Sequence, residues 1–312
     1  MPRSEKNWNA KLLIPGSLWE HTPNCGFLTP TCLKKELVQR KKTIFGAVRD
    51  KDGKAVIRRV DIDSDYNVTP MPEVCFDRRN SGAFDTDGTI LGHVESFEQF
   101  IRLYYVGFRR SRRVKFEAYS GIAESVDYGK TFEYRRKFLD SRNFTFLNGL
   151  TPDIVACHWN NLNENGDGLA LVAIGNGWIE IGSTAYPKYS SYLIAVDKFS
   201  FQELICQVPQ KTDLYRLGRP RFIDHQEMRI LVATGGKVDG DYRPYFFEYQ
   251  GVNFHARPDL QFPLAPGEDP RFKKQVSYPE LVAFPENNEN IFLFNGDNMG
   301  GEGCYSINAE CQ

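Results

Sequence analysis

Acidic residues and arginines stand in short groupings along this chain. The segment "VRDKDG" carries Arg49 and Asp50, and "GAFDTDG" carries Asp85 and Asp87. "GLTPDIV" carries Asp153, "LGRPRFI" carries Arg219 and Arg221, and "VSYPELV" carries Tyr278 and Glu280. Arg109, Asn176, Asn295 and Asp297 sit at the ends of strongly apolar runs. Carboxylates can take or give a proton to a reacting group, and guanidinium groups offer paired donors to an oxyanion. Buried charges also need partners, so the competing role is a ring of Arg–carboxylate pairs that staples the fold. The backbone that positions these residues separates the two roles.

That backbone repeats. Five segments, "FLTPTCL", "GTILGHV", "GLTPDIV", "LGRPRFI" and "VSYPELV", share a central position at Pro30, Leu91, Pro152, Pro220 and Pro279. Their spacing, roughly 60 to 70 residues, is that of a structural repeat. An apolar run follows each: "TIFGAVRD", "FIRLYYVGF", "LALVAIGNG", "MRILVATGG" and "NIFLFNGDN". A third strand-like run comes next in every unit, and a fourth in the first four units, as in "FEYRRKFL" and "QELICQV". Period-two alternation, aromatic and β-branched residues and turn-type gaps argue for strands. The expectation is an all-β protein: one five-bladed β-propeller with four-stranded blades, a single domain over 1–312. The last unit lacks a fourth strand, and the segment from about Trp8 to Ile14 supplies it, which protects the blade edge.

In a propeller the first strand of each blade lines the central channel. Its start shares a face with the loops between strands two and three. Side chains two apart point the same way along a strand. Thr29 and Thr31, Ile90 and Gly92, Thr151 and Asp153, Arg219 and Arg221, and Tyr278 and Glu280 are therefore expected to face the channel. Asp85, Asp50, Arg219 and Glu280 are expected in one pocket. The loop "GFRRSRRVKFEAY", with Arg109, Arg110, Arg112, Arg113 and Lys115, falls on the same face. Its positive charge suits an anionic ligand, although a charge run is often only solvated surface. "ESVDYGKTF" has the Ser-x-Asp-x-Gly-x-Thr pattern of the Asp-box turn in sialidase propellers. It falls between strands three and four of blade two, on the opposite face, which assigns Asp127 a turn-capping role.

Composition excludes other classes. Lys and Arg total 39 against 40 Asp and Glu, so overall charge points to neither nucleic acid nor a membrane surface. No apolar run has membrane-spanning length. The seven cysteines are odd in number, scattered and without a CxxC pair, as expected of reduced thiols in a cytoplasmic protein. His21, His93, His158, His225 and His255 have no metal-ligand spacing, and no dinucleotide or Walker fingerprint is present. No metal and no cofactor is expected. "KVDGDYR" (Lys237 to Arg243) could hold a cation but suits a simple polar loop better.

The run "GAFDTDGTILG", "RLYYVGF", "GIAESVDYGKTF", with "RPRF" and the tail "YPELVAFPENNENIFLFNGDNMGGEG", resembles the five-bladed propeller superfamily of glycoside hydrolases. That group holds arabinanases and xylosidases, invertases and levansucrases, and mannoside phosphorylases. More narrowly, the chain is similar to propeller proteins associated with bacterial surface-polysaccharide synthesis. The resemblance spans nearly all five blades and implies carboxylate chemistry at the channel mouth. One carboxylic acid protonates the leaving oxygen, a second acts as base or nucleophile, and a third tunes the acid. By position, Asp85 or Asp87 matches the second-blade aspartate and Asp50 the group's Arg-Asp, with Asp153 and Glu280 as further channel carboxylates. Arg49, Asp87, Arg109, Arg219, Arg221, Tyr278 and Asn295 are then the candidates for substrate binding. The first-blade aspartate before the proline is replaced by Thr29. Asp50 or Asp85 takes its role, the reaction is a transfer, or the site only binds. The function expected is cleavage or transfer of a glycosyl unit on an acidic or phosphorylated sugar, or a sugar nucleotide. The alternative is a non-catalytic glycan-binding or scaffold propeller. Sugar identity and oligomeric state stay open.

Overall fold

The computed structural model describes residues 10–19, 25–50, 52–79, 83–110, 112, 114–147, 149–225 and 228–309. Strand β1 (Lys11–Pro15) comes first, then β2 (Leu28–Cys32), β3 (Lys41–Arg49), β4 (Ala55–Asp63) and β5 (Val68–Pro70). There follow β6 (Gly88–Ser96), β7 (Ile101–Arg109), β8 (Glu117–Ser125) and β9 (Glu133–Phe138). Next are β10 (Ile154–Leu162), β11 (Gly168–Ile181), β12 (Thr184–Asp197) and β13 (Ser200–Gln207). The chain continues through β14 (Arg216–His225), β15 (Met228–Gly236), β16 (Tyr242–Tyr249) and β17 (Phe254–Ala256). It ends with β18 (Ser277–Phe284), β19 (Glu289–Asn295) and β20 (Gly303–Asn308).

Neighbours in sequence pair antiparallel in the runs β2–β5, β6–β9, β10–β13 and β14–β17. β18, β19 and β20 form a further run, and β1 pairs antiparallel with β20, Lys11 opposite Ser306. The N-terminal strand thus lies against the last strand of the chain; Trp8 lies outside the described residues. Short parallel contacts link one run to the next, at Ala55 with Gly88, Val155 with Tyr119, and Tyr189 with Arg216. Fourth strands such as β9 ("EYRRKF") are exposed and charged, which suits an edge that must not recruit another chain. Second strands such as β3 ("KKTIFGAVR") are buried through their centres.

The core lies between consecutive runs. Phe45, Ile57 and Phe76 pack with Leu91, Leu103 and Tyr105; Tyr104, Ile122 and Phe138 pack with Val155, Val172 and Ile194. Leu171 and Leu193 meet Leu217, Leu231 and Phe247. Val232 and Phe246 meet Phe272, Phe292 and Tyr305. Finally Ile14, Val282, Phe284 and Leu293 meet Phe27, Ile44 and Val60, bringing the last run against the first. Each fully buried side chain of this size removes apolar area worth about 1.5–3 kcal/mol, so these five layers hold the arrangement. The first strands consequently meet around a common axis: β2 beside β6, β6 beside β10, β10 beside β14, and β18 beside β2.

Every first strand breaks its ladder with a bulge. The breaks fall at Leu28/Thr31, Leu91/His93, Cys157/Trp159, Gly218/Arg221 and Ser277/Glu280. In three of them the residue before the proline has a left-handed backbone: Thr29 at φ 52°, Arg219 at 51° and Tyr278 at 58°. A side-chain-bearing residue pays steric strain there, and a following proline adds to it. Thr29 N–H is secured by Asn295 Oδ1 at 2.9 Å, and Tyr278 N–H by Thr234 Oγ1 at 2.9 Å. The repeat phase expected from sequence is corrected in two units. The break comes at Gly92 rather than Leu91, whose side chain is core, and at His158 rather than Pro152. The physical reason is close approach: a Cβ at Gly92 would lie 2.2 Å from the Cys157 carbonyl oxygen, so the two strands pinch together there. Thr151 and Asp153 precede β10 and line its rim instead of the axis.

Candidate functional site

Two arginines on β14 dominate the axis. Arg219 and Arg221, on either side of Pro220, are each 3% exposed. Arg219 reaches across to β2 and β6, donating to the Leu91 carbonyl at 2.5 Å, the Pro30 carbonyl at 3.0 Å and Thr31 Oγ1 at 3.2 Å. Arg221 donates to Thr31 Oγ1 at 2.7 Å and the Gly92 carbonyl at 2.7 Å, and forms an ion pair with Glu280 on β18. Glu280 also accepts from Cys32 N–H at 2.8 Å. The bulges make this possible, because they turn residues of four first strands toward one another. Burial and the charge of Arg221 push the Arg219 guanidinium well down from its ordinary value. A guanidinium is basic enough to stay charged regardless, so the axis holds a strained positive charge.

His93 and His158 join this layer, both nearly buried. Burial lowers the pKa of each; for His158 the charges of Arg219 and Arg221 add to the effect. Toward one face lie Tyr278, Arg49, Tyr189 and Arg216. The Arg219 guanidinium stands 5.8 Å from the Tyr278 ring centroid, and Arg216 stacks on Tyr242 at 4.2 Å. Burial pushes the Tyr278 hydroxyl up to about 12, so it is a proton donor at neutral pH. Burial lowers Arg49.

Beside this mouth runs a cleft of about 200 Å³ between the β10 rim and the β11–β12 hairpin. Asp153, 6% exposed, accepts a hydrogen bond from Trp178 Nε1 at 2.9 Å. Trp178 is 41% exposed and Leu150 61%, which leaves an indole and an aliphatic side chain facing solvent next to a carboxylate. A second cavity of about 350 Å³ lies between the basic loop and the tip of the same hairpin, lined by Arg112, Lys115 and Glu180 among others.

The structure gives each of the residues expected at the site its own partners. Arg219, Arg221, Tyr278 and Glu280 come together. Asp85 is fully buried and accepts from Arg78 Nε at 3.0 Å and Tyr105 hydroxyl at 2.8 Å. Asp50 caps its own turn through the Asp52 and Lys54 N–H groups, both at 2.9 Å, and pairs with Arg79. Of the expected pocket of Asp50, Asp85, Arg219 and Glu280, the contacts join Arg219 and Glu280 through Thr31 and Arg221, while Arg78 and Arg79 engage the two aspartates. Asp87 caps Arg110 N–H at 2.6 Å. Arg109 is neutralised by Glu117 at 2.8 Å. Asn295, fully buried, ties Thr29, Phe27 and Gly303 and is a backbone clamp. Asp297 binds three successive N–H groups, of Lys273, Lys274 and Gln275, and Asn176 donates to Ser190. In the basic loop Lys115 contacts Tyr186 at 3.2 Å; Ser111 and Arg113 lie outside the described residues.

Asp127 holds a turn. Its carboxylate accepts from Ser125 Oγ at 2.6 Å, Lys130 N–H at 3.1 Å, Thr131 N–H at 3.0 Å and Thr131 Oγ1 at 2.6 Å. Burial opposes its charge, but these bonds outweigh it and hold the carboxyl below its ordinary range. Gly129, at φ 77°, lets the turn close. "KVDGDYR" is a polar turn with an Arg243–Asp241 pair, and among the described residues no acidic, His or Cys group could hold a metal ion. His93, His158, Trp178 and Arg216 were not singled out as site residues by sequence. The faint signal for His158 was its place in an apolar strand; nothing local marked Trp178, which reaches the rim only because β11 runs on to Ile181.

No family model matches the chain, and no curated protein matches it in sequence. Solved structures do. A thermostable family-43 glycoside hydrolase superposes with a TM-score of 0.62 at 10% identity, covering 93% of this chain and 90% of that one. The catalytic domain of the Coprinopsis cinerea GH62 alpha-L-arabinofuranosidase gives 0.62 at 11%, covering 97% of each. The endo-arabinase from Bacteroides thetaiotaomicron gives 0.58 at 11%, covering 97% of this chain and 98% of that one. At such identities the likeness speaks for architecture, and it agrees with the strand runs packed around an axis: the chain has the β-propeller fold of these glycoside hydrolases.

Proposed function

We propose that the protein is a five-bladed propeller, β1 completing the fifth blade, that binds a glycan at the mouth of its axis and cleaves or transfers a glycosyl unit there. The observation that carries this is the cleft in which exposed Trp178 donates to Asp153. An exposed indole gives a flat apolar surface with a polar edge, as a sugar face requires. Asp153 is the proton-transferring carboxylate of the cleft, and Glu280 the second carboxylate on the axis. Assembly of an acidic surface polysaccharide in the cytoplasm is the setting we assign. Supporting the cytoplasm, Cys32, Cys75, Cys157, Cys206 and Cys304 are free thiols, and burial pushes Cys75 and Cys157 up to about 12, where they are unreactive.

A second reading, binding without chemistry, has an observation of its own. Asp50, Asp85 and Glu280 are each engaged by an arginine, whereas glycosidic cleavage uses two carboxylates flanking the bond. Both readings are tested by screening an array of acidic and neutral oligosaccharides with the wild type, Trp178→Ala and Asp153→Asn. Binding lost in Trp178→Ala supports the cleft. Turnover lost in Asp153→Asn with binding retained supports an enzyme, and binding with no turnover of any bound glycan supports the second reading. Binding that ignores Trp178 removes the cleft as the site.

A further inference from the structure

We propose that the axial end of this site receives an oxyanion, the carboxylate of a uronate or the phosphate of a sugar phosphate, between Arg49, Arg216, Arg219 and Tyr278. This rests on the glycan site proposed above and adds the charge of its ligand. It moves the anion-binding role from the basic loop, where Arg109 is already neutralised by Glu117, to the axis.

Charge accounting carries the argument. Four arginines, Arg49, Arg216, Arg219 and Arg221, approach the axis, and the only carboxylate in contact with any of them among the described residues is Glu280, which pairs with Arg221. Arg219 is 3% exposed and, among the described residues, bonds only to two carbonyls and a hydroxyl. A buried cation without a counter-ion is strongly disfavoured, and a bound anion removes the penalty. The donors are also unfilled: the buried Nε atoms of Arg216, Arg219 and Arg221 have no hydrogen-bond partner among the described residues. Buried donors of this kind are otherwise nearly always paired. Tyr278 keeps its hydroxyl proton at neutral pH and can donate it. The strained backbones of Arg219 and Tyr278, φ 51° and 58°, hold these two side chains on the axis, as strain at a ligand site commonly does. Guanidinium groups match both carboxylate and phosphate geometry, so the two sources share one chemistry.

The test uses the half-buried mouth residues. Arg49→Gln and Arg216→Gln are compared with the wild type by calorimetry and thermal shift against glucuronate, glucose 1-phosphate, inorganic phosphate and neutral methyl glucoside. Arg216→Lys, which keeps the charge, is the second variant if Arg216→Gln folds poorly. The expected result is binding of an acidic probe that weakens roughly tenfold or more in each Gln variant, the loss of one charge-assisted hydrogen bond. Added salt weakens it further. Glucuronate without glucose 1-phosphate identifies a uronate, and the reverse identifies a sugar phosphate. Equal affinity for methyl glucoside and the acidic probes, unchanged acidic binding in both Gln variants, or no acidic binding would overturn the proposal. Trp178→Ala separates the two levels. Neutral sugar binding that depends on Trp178 keeps the glycan site while the oxyanion falls; inorganic phosphate bound at Arg49 and Arg216 with no sugar bound keeps the oxyanion while the glycan site falls.

Discussion

Replacing Glu280 by Gln isolates the ion pair at the axis. The variant keeps the shape and an acceptor for Cys32 N–H, but it turns an uncharged amide toward Arg221, which is 3% exposed. Removing one member of a buried pair leaves the other charge uncompensated, and such changes cost about 3–5 kcal/mol. The retained Cys32 bond places Glu280→Gln at the lower end. With a chain this long, a loss of about 3 kcal/mol lowers the melting temperature by roughly 5 °C. Scanning calorimetry at neutral pH reads that change. The double variant Glu280→Gln/Arg221→Gln should lose less than the two single losses combined, with a coupling of about 1–3 kcal/mol. Arg221 also serves Thr31 and Gly92, so the double variant should not regain wild-type stability. A single variant that melts within about 1 °C of the wild type, or strictly additive losses, would mean that the pair does not hold the axis.

Gly92→Ala should be more severe, because its Cβ would meet the Cys157 and Tyr104 carbonyl oxygens at 2.2 and 2.6 Å, and backbone cannot step aside; little folded protein in a soluble-expression and circular-dichroism comparison is the expected outcome. Asp127→Ala should cost about 1–3 kcal/mol in denaturant unfolding through its lost turn bonds while leaving glycan binding unchanged, since the turn joins β8 to β9 on the face away from the cleft. Stability should fall as pH drops from about 6.5, because His93 and His158 have folded-state pKa values below the unfolded value and the unfolded chain takes up more protons there. His93 faces Glu95, Arg221 and Glu280, and His158 faces Arg219 and Arg221, so His158→Asn should flatten the pH dependence more than His93→Asn; a slope between pH 5 and 6.5 that is the same in both variants and the wild type would contradict it.

The strands were legible because their signal is local. β-branched residues mark β4 and aromatic residues mark β16 within a few positions, and the pairing of β1 with β20 followed from counting an absent fourth strand. Asp127 was legible for the same reason: every atom that binds it lies within four residues. The convergence of Arg219, Arg221, Tyr278 and Glu280 was also within reach of the sequence, since a shared x-Pro-x position carries them all. What the tertiary structure alone decided is which charge neutralises which. Asp85 and Glu280 look alike in sequence, yet one is taken by Arg78 and Tyr105 and the other by Arg221. The phase of β6 and β10 around the axis was likewise decided by the packing of Gly92 on Cys157, 65 residues apart in the chain. Periodicity in a strand reports which residues are buried; it holds no information on the partner across an axis, because that partner is fixed by how five separate layers close against each other.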